Sequence, residues 1–117
     1  MPEPSRVLLV EDDLVIAFDL SDQIEALGHT VLTARDVPAA LAILESDAPA
    51  LALLDVNLGN GATSAPVAEA LALRGIPFGL VTGEDGETVP GFPDAPILRK
   101  PFGERELHRM VTRLAGA

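Results

Sequence analysis

Four places in this sequence hold residues that could do chemistry together. The acidic triplet Glu11-Asp12-Asp13 follows the apolar run Arg6 to Val10. Asp55 follows Leu51 to Leu54. Thr82-Gly83 closes the run from Ile76, and Lys100-Pro101 follows Ile97 to Arg99. Brought to one edge of a fold, these residues would supply carboxylates, a hydroxyl and an ammonium. Two carboxylates about 4 Å apart repel by roughly 4 kcal/mol at an effective dielectric near 20, a cost that a divalent cation removes. Oxygen donors without His or Cys suit Mg²⁺. An ionised Asp beside such a cation can attack phosphorus and form an aspartyl phosphate. In that chemistry Asp55 is the nucleophile. Lys100 neutralises the phosphoryl oxygens, Thr82 donates a hydrogen bond to one of them, and Gly83 leaves the attacking face open.

Each residue also has a plainer role. Asp13 can be a helix N-cap. Asp55 can be a loop acid, Lys100 a solvated charge and Thr82 a strand residue on a half-exposed edge. The joint pattern outweighs these separate roles. Arginine fills every other basic position, yet the slot before Pro101 holds the sole lysine. A compact point charge on a flexible stem differs in use from a guanidinium fork.

The elements that must position these groups follow from periodicity. Arg6 to Val10 is short and β-branched, as a buried strand should be. Asp12 or Asp13 caps a helix that Gly28 ends, with Ile16, Leu20, Ile24 and Leu27 on one stripe. Thr30 to Ala34 is a second strand. Asp36 caps a helix with Pro38 in its first turn, where the missing N–H is harmless. That helix runs to about Glu45 and turns Ala40, Leu41 and Leu44 inward. Leu51 to Leu54 is a third strand. Ser64 or Thr63 caps a helix to Leu73, and Gly75 stops it. Ile76 to Thr82 and Ile97 to Arg99 are the fourth and fifth strands. Pro101 opens a last helix with Leu107, Met110, Val111 and Leu114 on its stripe. The Gly- and Pro-rich segment from Gly83 to Pro96 leaves room for only a short or irregular fourth helix.

Alternation of strands and helices implies a three-layer α/β fold, a five-stranded parallel sheet between helices. In open parallel sheets the ligand site lies beyond the C-terminal strand ends. All four chemical landmarks stand there.

Composition narrows the function classes. The 117 residues are 48% hydrophobic and 22% charged, which suits a single globular domain. A formal net charge of −10 opposes nucleic acid and anionic membranes, whose binders need a basic patch. There is no Cys, hence no disulfide or thiolate chemistry. The N-terminus has no signal-peptide pattern, and the longest apolar run, Ala48 to Leu54, is too short to cross a bilayer. The expected compartment is the cytoplasm. His29 and His108 have no metal-ligand partner at helical spacing, and Arg105, Arg109 and Arg113 line one face of the last helix. That face is solvated or docks an acidic partner.

The segments Leu9-Val10-Glu11-Asp12-Asp13, Leu53-Leu54-Asp55-Val56-Asn57, Val81-Thr82-Gly83 and Arg99-Lys100-Pro101-Phe102 resemble the four landmarks of response-regulator receiver domains, in order and across essentially the whole chain. The stretch Ile76-Pro77-Phe78-Gly79-Leu80-Val81-Thr82-Gly83 is similar, more narrowly, to stand-alone alphaproteobacterial receivers with a PFxFATGY-type fourth strand. Leu80, Val81 and Glu84 depart from that pattern. The resemblance implies a flavodoxin-like strand order, 2-1-3-4-5. It implies that Asp55 takes a phosphoryl group from a histidine kinase or histidine phosphotransfer domain and that an unidentified downstream protein reads the result. It implies a Mg²⁺ pocket of Glu11, Asp12, Asp55 and the backbone carbonyl of Asn57, with Thr82 and Lys100 on the phosphoryl group. Gly59 stands where the family usually has Pro. Ile97 stands where it usually has a switching aromatic, so switching is expected to order Gly83 to Pro93 rather than swing a ring.

The expected protein is thus a phosphoacceptor switch, residues 1–117 forming one receiver without an output domain. It is not an enzyme apart from its own phosphoryl transfer and autodephosphorylation. Two alternatives compete. A Mg²⁺-dependent phosphohydrolase with Asp55 as nucleophile would usually carry a second acid where Asn57 stands. A receiver that binds its partner without phosphorylation would not need Glu11, Asp12, Asp55, Thr82 and Lys100 all intact.

Overall fold

A computed structural model of the chain describes residues 5–59, 62–83, 91, 92 and 94–116. The strands are β1 (Arg6–Val10), β2 (Thr30–Ala34), β3 (Leu51–Asp55), β4 (Phe78–Thr82) and β5 (Ile97–Arg99). The helices are α1 (Leu14–Ala26), α2 (Val37–Ser46), α3 (Ala65–Leu73) and α4 (Glu104–Ala115). The expected short helix between Gly83 and Pro96 falls largely on residues 84–90 and 93, outside the described residues.

All strand pairs are parallel, in the order β2-β1-β3-β4-β5. Side chains alternate along each strand and divide the core in two. Leu8, Val10, Ala52, Leu54 and Leu80 face α2 and α3, through Ala40, Leu44, Val67, Ala68 and Leu71. Val7, Leu9, Leu51, Leu53, Val81 and Leu98 face α1 and α4, through Leu20, Ile24, Leu107, Met110 and Leu114. Covered on both sides, β3 is buried at every residue, which is why it reads as one continuous apolar run.

Local signals set the helix starts. The Asp13 carboxylate accepts from Val15 N at 2.9 Å and Ile16 N at 3.1 Å. Asp36 accepts from Ala39 N at 2.9 Å. Two boundaries differ from the sequence reading. Strand β4 begins at Phe78 rather than Ile76, because Ile76 N donates back to Leu71 O at the end of α3. Helix α4 begins at Glu104 rather than Pro101. Gly103 is extended there, and its N–H points to Glu106 Oε1 at 3.4 Å.

The chain reverses order in the sheet between β1 and β3, with β2 on one side and β4 on the other. That switch point opens a crevice at the C-terminal strand ends, and the acidic residues lie in it.

Candidate functional site

Glu11 and Asp12 are the first residues after β1, and Asp55 ends the neighbouring strand β3. One carboxylate oxygen from each of the three lies within 4.8 Å of the others. Glu11 is buried, Asp55 is 8% exposed and Asp12 is half-buried. Lys100 follows β5 and reaches across from the sheet edge. Its Nζ donates to Asp55 Oδ2 at 3.1 Å and to Glu11 Oε1 at 3.3 Å. Its backbone N donates to Thr82 O at 2.8 Å, so the end of β4 fixes where the lysine stem starts.

Burial pushes the Glu11 carboxyl up to about 7, aided by its hydrogen bond with Asp55 and the negative charge there. The Asp13 N–H, which donates to Glu11 Oε2 at 3.2 Å, and the Lys100 charge pull the other way. For Lys100 burial opposes the charged form, but Asp55 and Glu11 outweigh it and hold its pKa above the ordinary lysine value. One ammonium therefore binds two of the three carboxyl groups. Three oxygen donors with no nitrogen or sulfur fit a hard divalent cation.

Thr82 is 1% exposed rather than half-exposed, and its Oγ1 is buried without a hydrogen-bond partner among the described residues. A buried hydroxyl in that condition carries an energetic penalty unless something accepts from it. Asn57 lies on the rim, its backbone N 3.4 Å from Asp55 Oδ1 and its backbone bridged to Thr63. Asp13 turns away and serves α1 as its cap. The structure thus gathers Glu11, Asp12, Asp55 and Lys100 into one cluster and sets Thr82 and Asn57 at its borders.

The stretch after Asp55, in sequence only a Gly-rich loop, is closed by backbone hydrogen bonds. Leu58 N donates to Ala62 O, Ala62 N to Gly59 O and Ser64 N to Val56 O, which pairs residues 56–59 with 62–64 as two sides of a tight antiparallel turn. The dipeptide Asn60-Gly61 is a hairpin signal in sequence and could have announced it. Gly59 within this turn has φ +80°, a value closed to the Pro that is usual in the family at that position.

Comparison with known proteins places this geometry. The chain belongs to the response-regulator receiver family. The solved structure of SdrG from Sphingomonas melonis is 41% identical, with a TM-score of 0.85 over 97% of this chain and 98% of that one. PhyR, the phyllosphere-induced regulator of Methylorubrum extorquens, is 29% identical over 93% of this chain. The match spans only 43% of that protein's length. The receiver domain of PhyR from Erythrobacter litoralis, 24% identical, shares the fold with a TM-score of 0.84 over 96% of this chain and 90% of that one. No family model matches the chain. The observed strand order is the flavodoxin-like order that the sequence resemblance implies. Among the described residues, no helix is long and apolar enough to cross a membrane.

Proposed function

We propose that this receiver accepts a phosphoryl group on Asp55 from a phosphohistidine, with Mg²⁺ held by Glu11, Asp12, Asp55 and the Asn57 carbonyl, and signals by binding a partner protein. The observation that carries this reading is the Glu11-Asp12-Asp55 cluster with the Lys100 ammonium bound to two of its members. A carboxylate oxygen of Asp55 forms the new P–O bond while the donor's P–N bond breaks, and the imidazole leaves with the bonding pair. Lys100 is within reach of the group being transferred and offsets charge on its equatorial oxygens. The Thr82 hydroxyl donates its unused hydrogen bond to one of those oxygens. When bound, the cation screens the carboxylates from one another and polarises the phosphoryl oxygens. The residues of this chain mainly position and neutralise.

A feature of α1 supports a protein phosphodonor. Leu14, Val15 and Phe18 are 60%, 80% and 77% exposed, and they begin one residue after the acidic triplet. An apolar patch beside a charged pocket suits docking of a partner helix face. Incubation with a small acyl phosphate, read by intact mass, tests the reading. The wild-type chain should gain one phosphoryl group only when Mg²⁺ is present, and Asp55→Asn should gain none. Equal labelling of Asp55→Asn would overturn it.

A further inference from the structure

Asp12 differs from its two neighbours in how it is held. Glu11 is fixed by the Asp13 N–H and Lys100, and Asp55 by Lys100 and the Asn57 N–H. Among the described residues, no hydrogen bond or ion pair holds the Asp12 carboxylate. What limits it is Gly59. A Cβ built on Gly59 would lie 3.0 Å from Asp12 Oδ2. Gly28, Gly75 and Gly91 also have positive φ, yet a Cβ on any of them would meet nothing within 4 Å. The close approach is therefore particular to position 59 and not a property of these turns in general.

We propose that Gly59 is a positioning residue for the cation cluster: its bare Cα leaves the space the Asp12 carboxylate occupies, and a Cβ carried on this left-handed backbone pushes that carboxylate back by a few tenths of an ångström. The inference rests on the phosphoacceptor reading above and deepens it. The backbone at Gly59 cannot easily retreat, because Leu58 is buried and the turn is closed by Ala62 N on Gly59 O and Leu58 N on Ala62 O, both at 2.9 Å. The Asp12 side chain yields instead, since its far end is free to rotate. It has somewhere to go. Asp12, Arg35, Asp36, Leu58 and Gly59 line an open recess of about 450 Å³, which offers room and a guanidinium. Displacement thus costs little in packing, and its effect falls on the donor geometry, which Mg²⁺ binds only when close to octahedral.

Calorimetric titration with Mg²⁺, paired with thermal melts in chelator, tests this on wild type, Gly59→Ala, Gly59→Asn and Gly28→Ala. Both alanine variants place a Cβ at positive φ, so both should melt lower than wild type in chelator. Only position 59 should change the metal. Gly59→Ala and Gly59→Asn, the latter tolerant of this φ but still bearing a Cβ, should bind Mg²⁺ about tenfold more weakly, the lower end of what disturbed ligand support costs. Gly28→Ala should bind as wild type does. In an Asp12→Asn background, Gly59→Ala should bring no further loss. Wild-type affinity in Gly59→Ala, an equal loss in Gly28→Ala, or a full loss persisting without Asp12 would each overturn the proposal. Failure of the wild-type chain to bind Mg²⁺ at all would overturn the phosphoacceptor reading, and this proposal with it.

Discussion

Replacing Lys100 with Met would leave Glu11 and Asp55 facing each other without the ammonium between them. Its Nζ is 3.3 Å from Glu11 and 3.1 Å from Asp55. At an effective dielectric near 20 each contact carries about 5 kcal/mol of gross Coulomb attraction. Desolvation offsets much of this, and deleting one partner of a buried pair costs about 3 kcal/mol net. The lysine side chain is 28% exposed, which argues for the low end of the usual range. Met keeps the stem's packing while removing the charge. Glu11 makes the loss depend on pH. Its carboxyl is already held up to about 7, so in mildly acidic buffer it is neutral and only Asp55 misses its partner. Urea unfolding in chelator should show a loss of about 3 kcal/mol near pH 8 and roughly 1 kcal/mol near pH 5. A loss of the same size at both values, or none, would refute the claim that this ammonium holds the two carboxylates together.

Other consequences follow from the same geometry. With chelator present, wild-type stability should fall as pH rises from about 4.5 to about 7, since folded Glu11 binds its proton more tightly than the unfolded chain does; urea midpoints across that window should flatten in Glu11→Gln. At neutral pH, Mg²⁺ at a hundred times its Kd should add about 2.7 kcal/mol of stability, and Asp12→Asn should lose most of that gain in a thermal melt. Asp13→Ala should cost about 1 kcal/mol by uncapping α1 and leave Mg²⁺ affinity near the wild-type value in calorimetry. A Cβ on Gly79 would sit 2.6 Å from Met110 Sδ, so Gly79→Ala should force the Met110 side chain to repack beneath α4 and lower stability by about 1 kcal/mol in urea.

The frame of the fold was legible because its signals are local. Apolar runs such as Leu51 to Leu54 show in the order of residues, and Asp13 and Asp36 as caps need only their own helices. The cluster was legible for a related reason: a parallel sheet sends every C-terminal strand end to one edge, so Glu11, Asp12, Asp55 and Lys100 needed no side-chain detail to be grouped. What sequence left out depends on contacts between distant segments. The bond from Ile76 N to the end of α3 shortens β4, and the extended Gly103 delays α4. The burial that lifts Glu11 toward neutral pH comes from the packed ends of several strands. The approach of Gly59 to Asp12 joins two loops whose distance no local pattern records.

The most direct test of the central claim is chemical mapping of the phosphoryl group. The wild-type chain is treated with a small acyl phosphate and Mg²⁺, reduced with borohydride and digested for peptide mass spectrometry. An aspartyl phosphate is reduced to homoserine, so the account predicts homoserine at position 55 and at no other acid, and its loss when Mg²⁺ is chelated beforehand. Homoserine at Asp12 or Asp13 instead, or an unmodified Asp55 in a chain that has gained a phosphoryl group, would contradict it.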